Sequence, residues 1–344
     1  MKRALVLGAG GFIGHHFVMD LVSRGYFVRG VDLKRPSVGE SPAGEFVLSD
    51  LKVAQNVRDL FDRPFDEVYQ FAANMGGAGF IFTGQNDAEI LYDNAIINLN
   101  TVNAFKSSGS AKLFFSSSAC VYPRHTQASV ESLNCSEEVA YPADPDSEYG
   151  WEKLFGERLF LAYRRNEGLD IKVGRFHNIY GELCTWTGGR EKAPAAICRK
   201  IALALEGGSI ELWGDGDQTR SFLYISDCLS AVRKLMHSSF SGPYNIGSEE
   251  MVSIEGLARL LIEVSGKTLD LTFVDGPQGV RSRNSNNALI NRDLGWRPSV
   301  TLRDGMRRLY EWVEGEVASS RESPSIRRET VRYSGNATLV EGNA

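Results

Sequence analysis

The stretch "RALVLGAGGFIGHHFVMDLVSRG", Arg3–Gly25, decides how the rest of the chain is read. It opens on a short apolar run, "RALVL", of the length and composition of a buried strand. Glycines follow at 8, 11 and 14 in the spacing GxxGxxG, and the residues after them carry helical apolar spacing that ends near Gly25. A glycine turn between a strand and a helix lets backbone N–H groups approach a pyrophosphate at the helix N-terminus. Gly8, Gly11, Phe12, Ile13 and Gly14 are therefore the candidate cofactor ligands. The next strand, "YFVRGVDL", ends near Asp32, where a carboxylate takes ribose hydroxyls and repels a 2′-phosphate. This predicts NAD over NADP. Asp50 and Leu51 are expected to close a third strand and flank the adenine.

Working outward, strand and helix signals alternate. "EVYQFAA", "AKLFFSSSA" and "DIKVGRF" read as strands, and "AEILYDNAIINLNTVNAFKSSG" and "SEYGWEKLFGERLFLAYRRNEG" as helices. Such alternation predicts an α/β fold, a Rossmann-type doubly wound parallel sheet. From about Asn178 the regularity falls, which predicts a smaller, interleaved C-terminal substrate domain. The expected division is 1–177 for the cofactor domain with returning segments near 216–248, 178–317 mainly for the substrate, and 318–344 as a tail. "SIELWGDGDQTRSFLYISD" reads as two strands flanking a Gly/Asp turn. The tail is polar enough for a disordered appendage, but the apolar side chains of "VRYSGNATLV" leave open that it folds back onto the body.

The chain has 344 residues and a formal charge of −5, which argues against a broad nucleic-acid surface. No apolar run reaches the length of a membrane span. The five cysteines (Cys120, Cys135, Cys184, Cys198, Cys228) show neither CxxC nor metal-ligand spacing, so no metal is expected. Reduced thiols in a cytoplasmic protein are the simplest reading.

"EYGWEK" places Tyr149 and Lys153 at i and i+4 on one helix face. A neighbouring ammonium favours the tyrosinate, which can take a sugar hydroxyl proton while NAD takes the hydride. Ser118, at the end of "AKLFFSSS", can share that hydroxyl. With the N-terminal glycines, these residues resemble the extended short-chain dehydrogenase/reductase superfamily.

Further blocks are more specific. "AANMGGAGFI", "SSSACVYP", "GRFHNIYG", "TWTGGREKAPAAICRK", "WGDGDQTRSF", "NIGSEEMVSI" and "GVRSRNSNN" resemble the GDP-mannose 3,5-epimerase family between Gly8 and about Val313. The resemblance implies transient oxidation of GDP-mannose at C4, proton exchange at C3 and C5, and re-reduction, giving GDP-L-galactose or GDP-L-gulose. It implies that Cys120 and Lys192 are the acid/base pair. By matching position it implies a substrate pocket of Gly76, Ser118, Cys120, Asn178, Glu191, Lys192, Lys200, Gln218, Thr219, Arg220, Arg281 and Arg283. Alternation in "VRSRN" lets Arg281 and Arg283 face one side, with Arg283 the preferred diphosphate ligand. In the tail the resemblance implies Asn336 as a polar contact. It also implies a homodimer through the helices after Ala88 and Ser147. His177 reads as a structural group beside the substrate. The chain departs from the family where Asn286 replaces a usual aspartate, and in the residues before Ser117 and Ser118. Two rival readings remain: a 4-epimerase or single-site epimerase on another GDP-sugar in a natural-product pathway, and a non-catalytic NAD-sensing protein.

Overall fold

A computed structural model of the chain describes residues 1–130, 135–277 and 279–322. The first elements are β1 (Arg3–Leu7), α1 (Phe12–Ser23), β2 (Phe27–Asp32), β3 (Glu45–Leu48), α2 (Ala54–Leu60) and β4 (Glu67–Gln70). A short α3 (Ala78–Ile81) and α4 (Asp87–Ser107) lead to β5 (Lys112–Ser118), α5 (Glu148–Glu167), β6 (Asp170–Phe176) and β7 (Ile179–Tyr180). Then come α6 (Ala193–Leu203), β8 (Ser209–Trp213), β9 (Thr219–Ser221), β10 (Leu223–Tyr224), α7 (Ile225–Met236) and β11 (Tyr244–Ile246). The last are β12 (Met251–Ser253), α8 (Ile254–Ser265), β13 (Asp270–Val274), β14 (Ser282–Arg283), α9 (Ala288–Leu294) and α10 (Leu302–Glu322).

Seven strands form one sheet in the order β11-β6-β5-β4-β1-β2-β3, every pairing parallel. Parallel strands need both faces covered, and the period-2 alternation of side chains achieves it. In β1, Ala4 and Val6 join the core under α1 and α7, while Leu5 and Leu7 join the core under α2, α4 and α5. In β5, Phe114 and Phe115 divide in the same way. The strand order reverses between β1 and β4, so a crevice opens at their C-terminal ends. The glycine turn after β1 lies there.

The C-terminal half adds the parallel pair β8–β13 and the small sheet β12-β9-β14. Helices α6, α8 and α10 pack together, and their apolar residues Ile201, Leu257, Leu309 and Val313 belong to the same core as Phe17 of α1. The two halves thus share one continuous apolar core.

Several expectations need correction. The third strand ends at Leu48, so Asp50 and Leu51 stand in the turn that follows it. Strands β8 and β9 do flank the Gly/Asp turn, and each pairs elsewhere, β8 with β13 and β9 with β12 and β14. Of the returning segments, β9 stays in the small sheet, and only α7 and β11 rejoin the main one. A tail beginning at 318 would cut through α10, which continues to Glu322. Asn336 and the "VRYSGNATLV" stretch lie outside the described residues.

Candidate active site

The turn after β1 needs its glycines for different reasons. Gly8 has φ +87°, and a Cβ there would stand 2.7 Å from the Ala72 nitrogen. A Cβ on Gly14 would overlap the Gly8 carbonyl oxygen, so α1 can approach β1 closely only without one. A Cβ on Gly11 would meet protein only at the Gly8 oxygen, 3.4 Å away, an ordinary contact. Packing does not require glycine at 11, and its absent side chain leaves the turn open at that point. The first amides of α1 have no intrahelical partners. The N-cap Gly11 supplies no side chain and the first turn carries no acid, so the amides of Phe12 and Ile13 are left for an anion.

Asp32 is fixed at the end of β2 by two backbone N–H groups, Gly10 at 2.9 Å and Lys34 at 3.2 Å. Each carboxylate oxygen keeps a lone pair for a ribose hydroxyl. Asp50 accepts from the Lys52 amide at 2.9 Å and caps its own turn, and Leu51 beside it is buried. The cradle of glycines, bare helix amides and a carboxylate fits NAD.

Tyr149 and Lys153 emerge from the first turns of α5, whose N-cap Ser147 accepts from the Gly150 amide at 3.3 Å. Both side chains are buried. Burial raises the Tyr149 phenol above its ordinary value, and the hydrogen bond from Ser118 opposes that rise. The Lys153 ammonium donates to the Ser116 carbonyl at 3.1 Å and lies 5.6 Å from the Tyr149 ring centroid. Burial lowers the pKa of Lys153 as well. The ammonium expected to acidify the phenol is thus anchored on β5, so the protein alone does not make Tyr149 acidic.

Cys120 follows β5 in a single 3-10 turn, its amide donating to the Ser118 hydroxyl at 3.2 Å. It packs in one cluster with Tyr149, Ile81 and Ile90, against which Met75, Phe80 and Phe82 rest. Its sulfur accepts from the Arg283 guanidinium at 3.2 Å. Arg283 also donates to Gln127 and pairs with the buried Asp146 at 2.8 Å. Lys192 is the N-cap of α6 and supplies no capping side chain. Burial lowers its ammonium below the usual lysine range; the thiols of Cys120, Cys184 and Cys228 oppose that shift. Cys120 therefore lies within electrostatic reach of Tyr149, Lys153, Lys192 and Arg283.

Residues 4–247 match the model of the NAD dependent epimerase/dehydratase family. The chain is 42% identical over 317 residues to GDP-mannose 3,5-epimerase 1 of Oryza sativa subsp. indica, spanning 92% of this chain and 82% of that one. It is 40% identical over 322 residues to GDP-mannose 3,5-epimerase of Arabidopsis thaliana, spanning 93% and 84%. A Thermus thermophilus UDP-glucose 4-epimerase solved with NAD superposes with a TM-score of 0.77 at 25% identity, over 91% of this chain and 99% of that one.

The chain belongs to the NAD dependent epimerase/dehydratase family. It is an NAD-dependent enzyme of the nucleotide-sugar epimerase type.

In this epimerase the other expected pocket residues fall into two groups. Near Cys120, Arg220 donates to the carbonyls of Thr219 and Val280 at 2.8 and 2.6 Å. Burial pushes its pKa down to about 10, and the positive charge of Arg283 adds to this, so it stays cationic at neutral pH. Thr219 shares a hydrogen bond with Ser282 across the β9–β14 pairing. Gln218 is buried and donates to the Trp213 carbonyl at 3.2 Å. Asn178 holds a left-handed backbone, φ 43°, and donates to the Ser221 carbonyl at 2.9 Å. Non-glycine residues adopt that conformation only when their surroundings enforce it.

In the second group Glu191, Lys200 and Arg281 are engaged elsewhere. Glu191 accepts from the Gly189 amide at 2.7 Å and pairs with Arg199 at 2.9 Å. Lys200 donates to the Glu211 carbonyl of β8 at 2.6 Å. Arg281 and Arg283 do not share a setting. Arg281 is exposed and pairs with Asp215 at 2.7 Å and Asp217 at 3.3 Å, whereas Arg283 is buried on Cys120. Of the glycines in "MGG", Gly76 packs against Phe80, but Gly77 makes the tighter approach. Its Cβ would overlap the Glu191 carbonyl, and its amide donates to the Arg190 carbonyl at 3.1 Å. Gly77, Asp146, Gln127 and Arg190 carried no sequence signal of their own. Only Gly77 and Arg190, flanking Gly76 and Glu191 in resembled blocks, were within reach of one. His177 bonds Asn245 at 2.8 Å, and burial pushes its pKa down to about 3, so the ring is a neutral structural group.

Proposed function

We propose that this enzyme inverts GDP-mannose at C3 and C5, giving GDP-L-galactose, GDP-L-gulose or both. The observation that carries the reading is the placement of Cys120. It shares a buried cluster with Tyr149, and its sulfur is bonded by Arg283. A plain 4-epimerase needs Tyr149 but has no use for an added thiol–lysine pair. The likeness to the rice and Arabidopsis enzymes supports the same substrate.

Tyr149 takes the C4 hydroxyl proton, with Ser118 sharing that hydroxyl. NAD, when bound, would supply a reversible hydride acceptor for C4, with no net redox change. The C4 ketone acidifies the hydrogens at C3 and C5, both alpha to it. Inversion requires a proton to leave one face and another to arrive on the opposite face, so two groups suffice. Cys120 and Lys192 fill those roles: a thiol whose sulfur Arg283 bonds, and an ammonium that burial makes a better acid. Proton return to C4 oxygen by Tyr149 closes the cycle. Arg220 and Arg283 together suit the diphosphate, two guanidiniums close enough for the charge of one to act on the other. Asn178, Gln218, Thr219 and Gly76 complete the sugar side.

The chain is further read as a homodimer. Helices α4 and α5 pack on each other and leave Leu91, Tyr92, Trp151 and Phe155 exposed on one apolar face. Light scattering after size exclusion should give twice the chain mass, and Trp151→Glu should give the single mass.

The test of the reaction is incubation of the NAD-loaded protein with GDP-mannose and, separately, with UDP-glucose, with products identified by NMR. GDP-L-galactose or GDP-L-gulose from the first alone supports the reading. A C4 epimer from either sugar, with C3 and C5 untouched, assigns a 4-epimerase instead. Binding of NAD without turnover of any sugar assigns a sensor.

A further inference from the structure

The geometry points to Arg190 as a positioning residue for Lys192, clamping the lysine loop through Phe80 to the segment that covers Cys120. The inference rests on the reading of Lys192 as a proton-exchange group. Lys192 comes from an irregular loop, "TWTGGREK", whose backbone turns through left-handed glycines at 188 and 189. Such a loop does not by itself hold an ammonium to within the fraction of an ångström that proton transfer needs.

The clamp has two jaws. On the inner side, Glu191 ties the Gly189 amide at 2.7 Å to Arg199 of α6 at 2.9 Å. On the outer side, the Arg190 guanidinium lies 4.0 Å from the centroid of the Phe80 ring and donates to Asn74 at 3.3 Å. Asn74 is itself held to α4 by two bonds with Asn94, at 2.6 and 3.1 Å. Backbone contact closes the jaw: the Gly77 amide donates to the Arg190 carbonyl, and Gly77 leaves no room for a Cβ beside Glu191. Phe80 rests in turn on the cluster that contains Cys120 and Tyr149. One aromatic ring thus touches the arginine two residues before Lys192 and the packing around Cys120. A guanidinium stacks flat on such a ring; an ammonium does not.

The experiment uses NAD-loaded wild type, Arg190→Ala, Arg190→Lys, Phe80→Leu and the double variant Arg190→Ala/Phe80→Leu. Two quantities are read: solvent deuterium entering GDP-mannose, against transient absorbance of reduced nicotinamide; and the pH profile of Lys192 acetylation by trace acetic anhydride, mapped by mass spectrometry. Arg190→Ala and Phe80→Leu should slow deuterium entry on the order of 10- to 100-fold and leave nicotinamide reduction unchanged. Arg190→Lys should fall between, and the double variant should lose no more than either single one. The midpoint of Lys192 acetylation should move toward that of an exposed lysine. An unchanged acetylation profile in Arg190→Ala and Phe80→Leu overturns the clamp, whatever the exchange rates. A moved profile together with no deuterium entry in wild type keeps the clamp and removes the catalytic reading of Lys192. Where Arg190→Ala lacks a native thermal transition, Arg190→Lys and Phe80→Leu decide.

Discussion

The Arg283 guanidinium donates to the Cys120 sulfur at 3.2 Å while its other nitrogens hold Gln127 and Asp146. Three acceptors around one planar fork fix both the charge and its direction, which a flexible ammonium cannot reproduce. The sulfur is thereby held in one orientation beside a fixed cation. Arg283→Lys should therefore slow deuterium entry at C3 and C5 more than it slows nicotinamide reduction. Equal slowing of both steps would mean that Arg283 only binds the nucleotide sugar.

Cys120→Ala separates oxidation from proton exchange more sharply. Solvent deuterium uptake should drop on the order of 10²- to 10⁴-fold, the size of a lost acid/base group. Transient reduction of NAD by GDP-mannose should persist, because Tyr149 and Lys153 are untouched. Tyr149→Phe should abolish both signals. Rapid quench and NMR on the two variants read the difference.

Behind the site, Arg175 and Glu157 form a fully buried two-pronged pair at 2.8 Å for each bond. Arg175 also donates to the Tyr122 hydroxyl at 3.1 Å, and Glu157 accepts from Ser117 of β5. Arg175→Met leaves a buried carboxylate unpaired. It should cost about 3–5 kcal/mol, seen as a lowered midpoint in denaturant unfolding.

His177 gives the fold an acid-sensitive component. Burial holds its pKa at about 3, whereas the unfolded chain titrates near 6.5. Between those values the unfolded state binds the extra proton, so stability rises with pH and is lost as pH falls below about 6.5. His177→Gln removes this proton. Its unfolding free energy should be flatter than wild type between about pH 6 and 4, by up to ~1.4 kcal/mol per pH unit. Parallel curves for the two proteins would contradict the buried neutral ring.

Asp32 should select the cofactor. Its carboxylate is pinned by the Gly10 and Lys34 amides, so it cannot swing away from a 2′-phosphate. Calorimetry should show much weaker binding of NADP than NAD, and Asp32→Ala should narrow the gap. Equal affinities in wild type would count against it.

Much of this was legible in the sequence where the signal is local. "RALVLGAGGFIG" carries its strand, turn and helix within a dozen neighbours, and Tyr149 and Lys153 lie one helical turn apart. The alternation of strands and helices was enough to expect a parallel sheet. What stayed hidden depends on distant partners. The two strands flanking the Gly/Asp turn at 214–217 were legible but their partners were not: β8 pairs β13 and β9 pairs β14, both far along the chain. Arg281 and Arg283 share an alternation pattern, but Asp215 and Asp217 draw the first outward while Cys120 and Asp146 hold the second inside. Nor does spacing reveal that Lys153 is anchored on Ser116, or that Lys200 is bonded to Glu211.

The central claim is that the protein exchanges protons at two carbons flanking a transient C4 ketone. The direct measurement is NMR of nucleotide sugars recovered after NAD-loaded protein and GDP-mannose are incubated in D2O. The account predicts deuterium at C5 and C3, protium kept at C4 because the same hydride returns, and no net reduced cofactor. Inversion at C4 with protium at both C3 and C5 would contradict it.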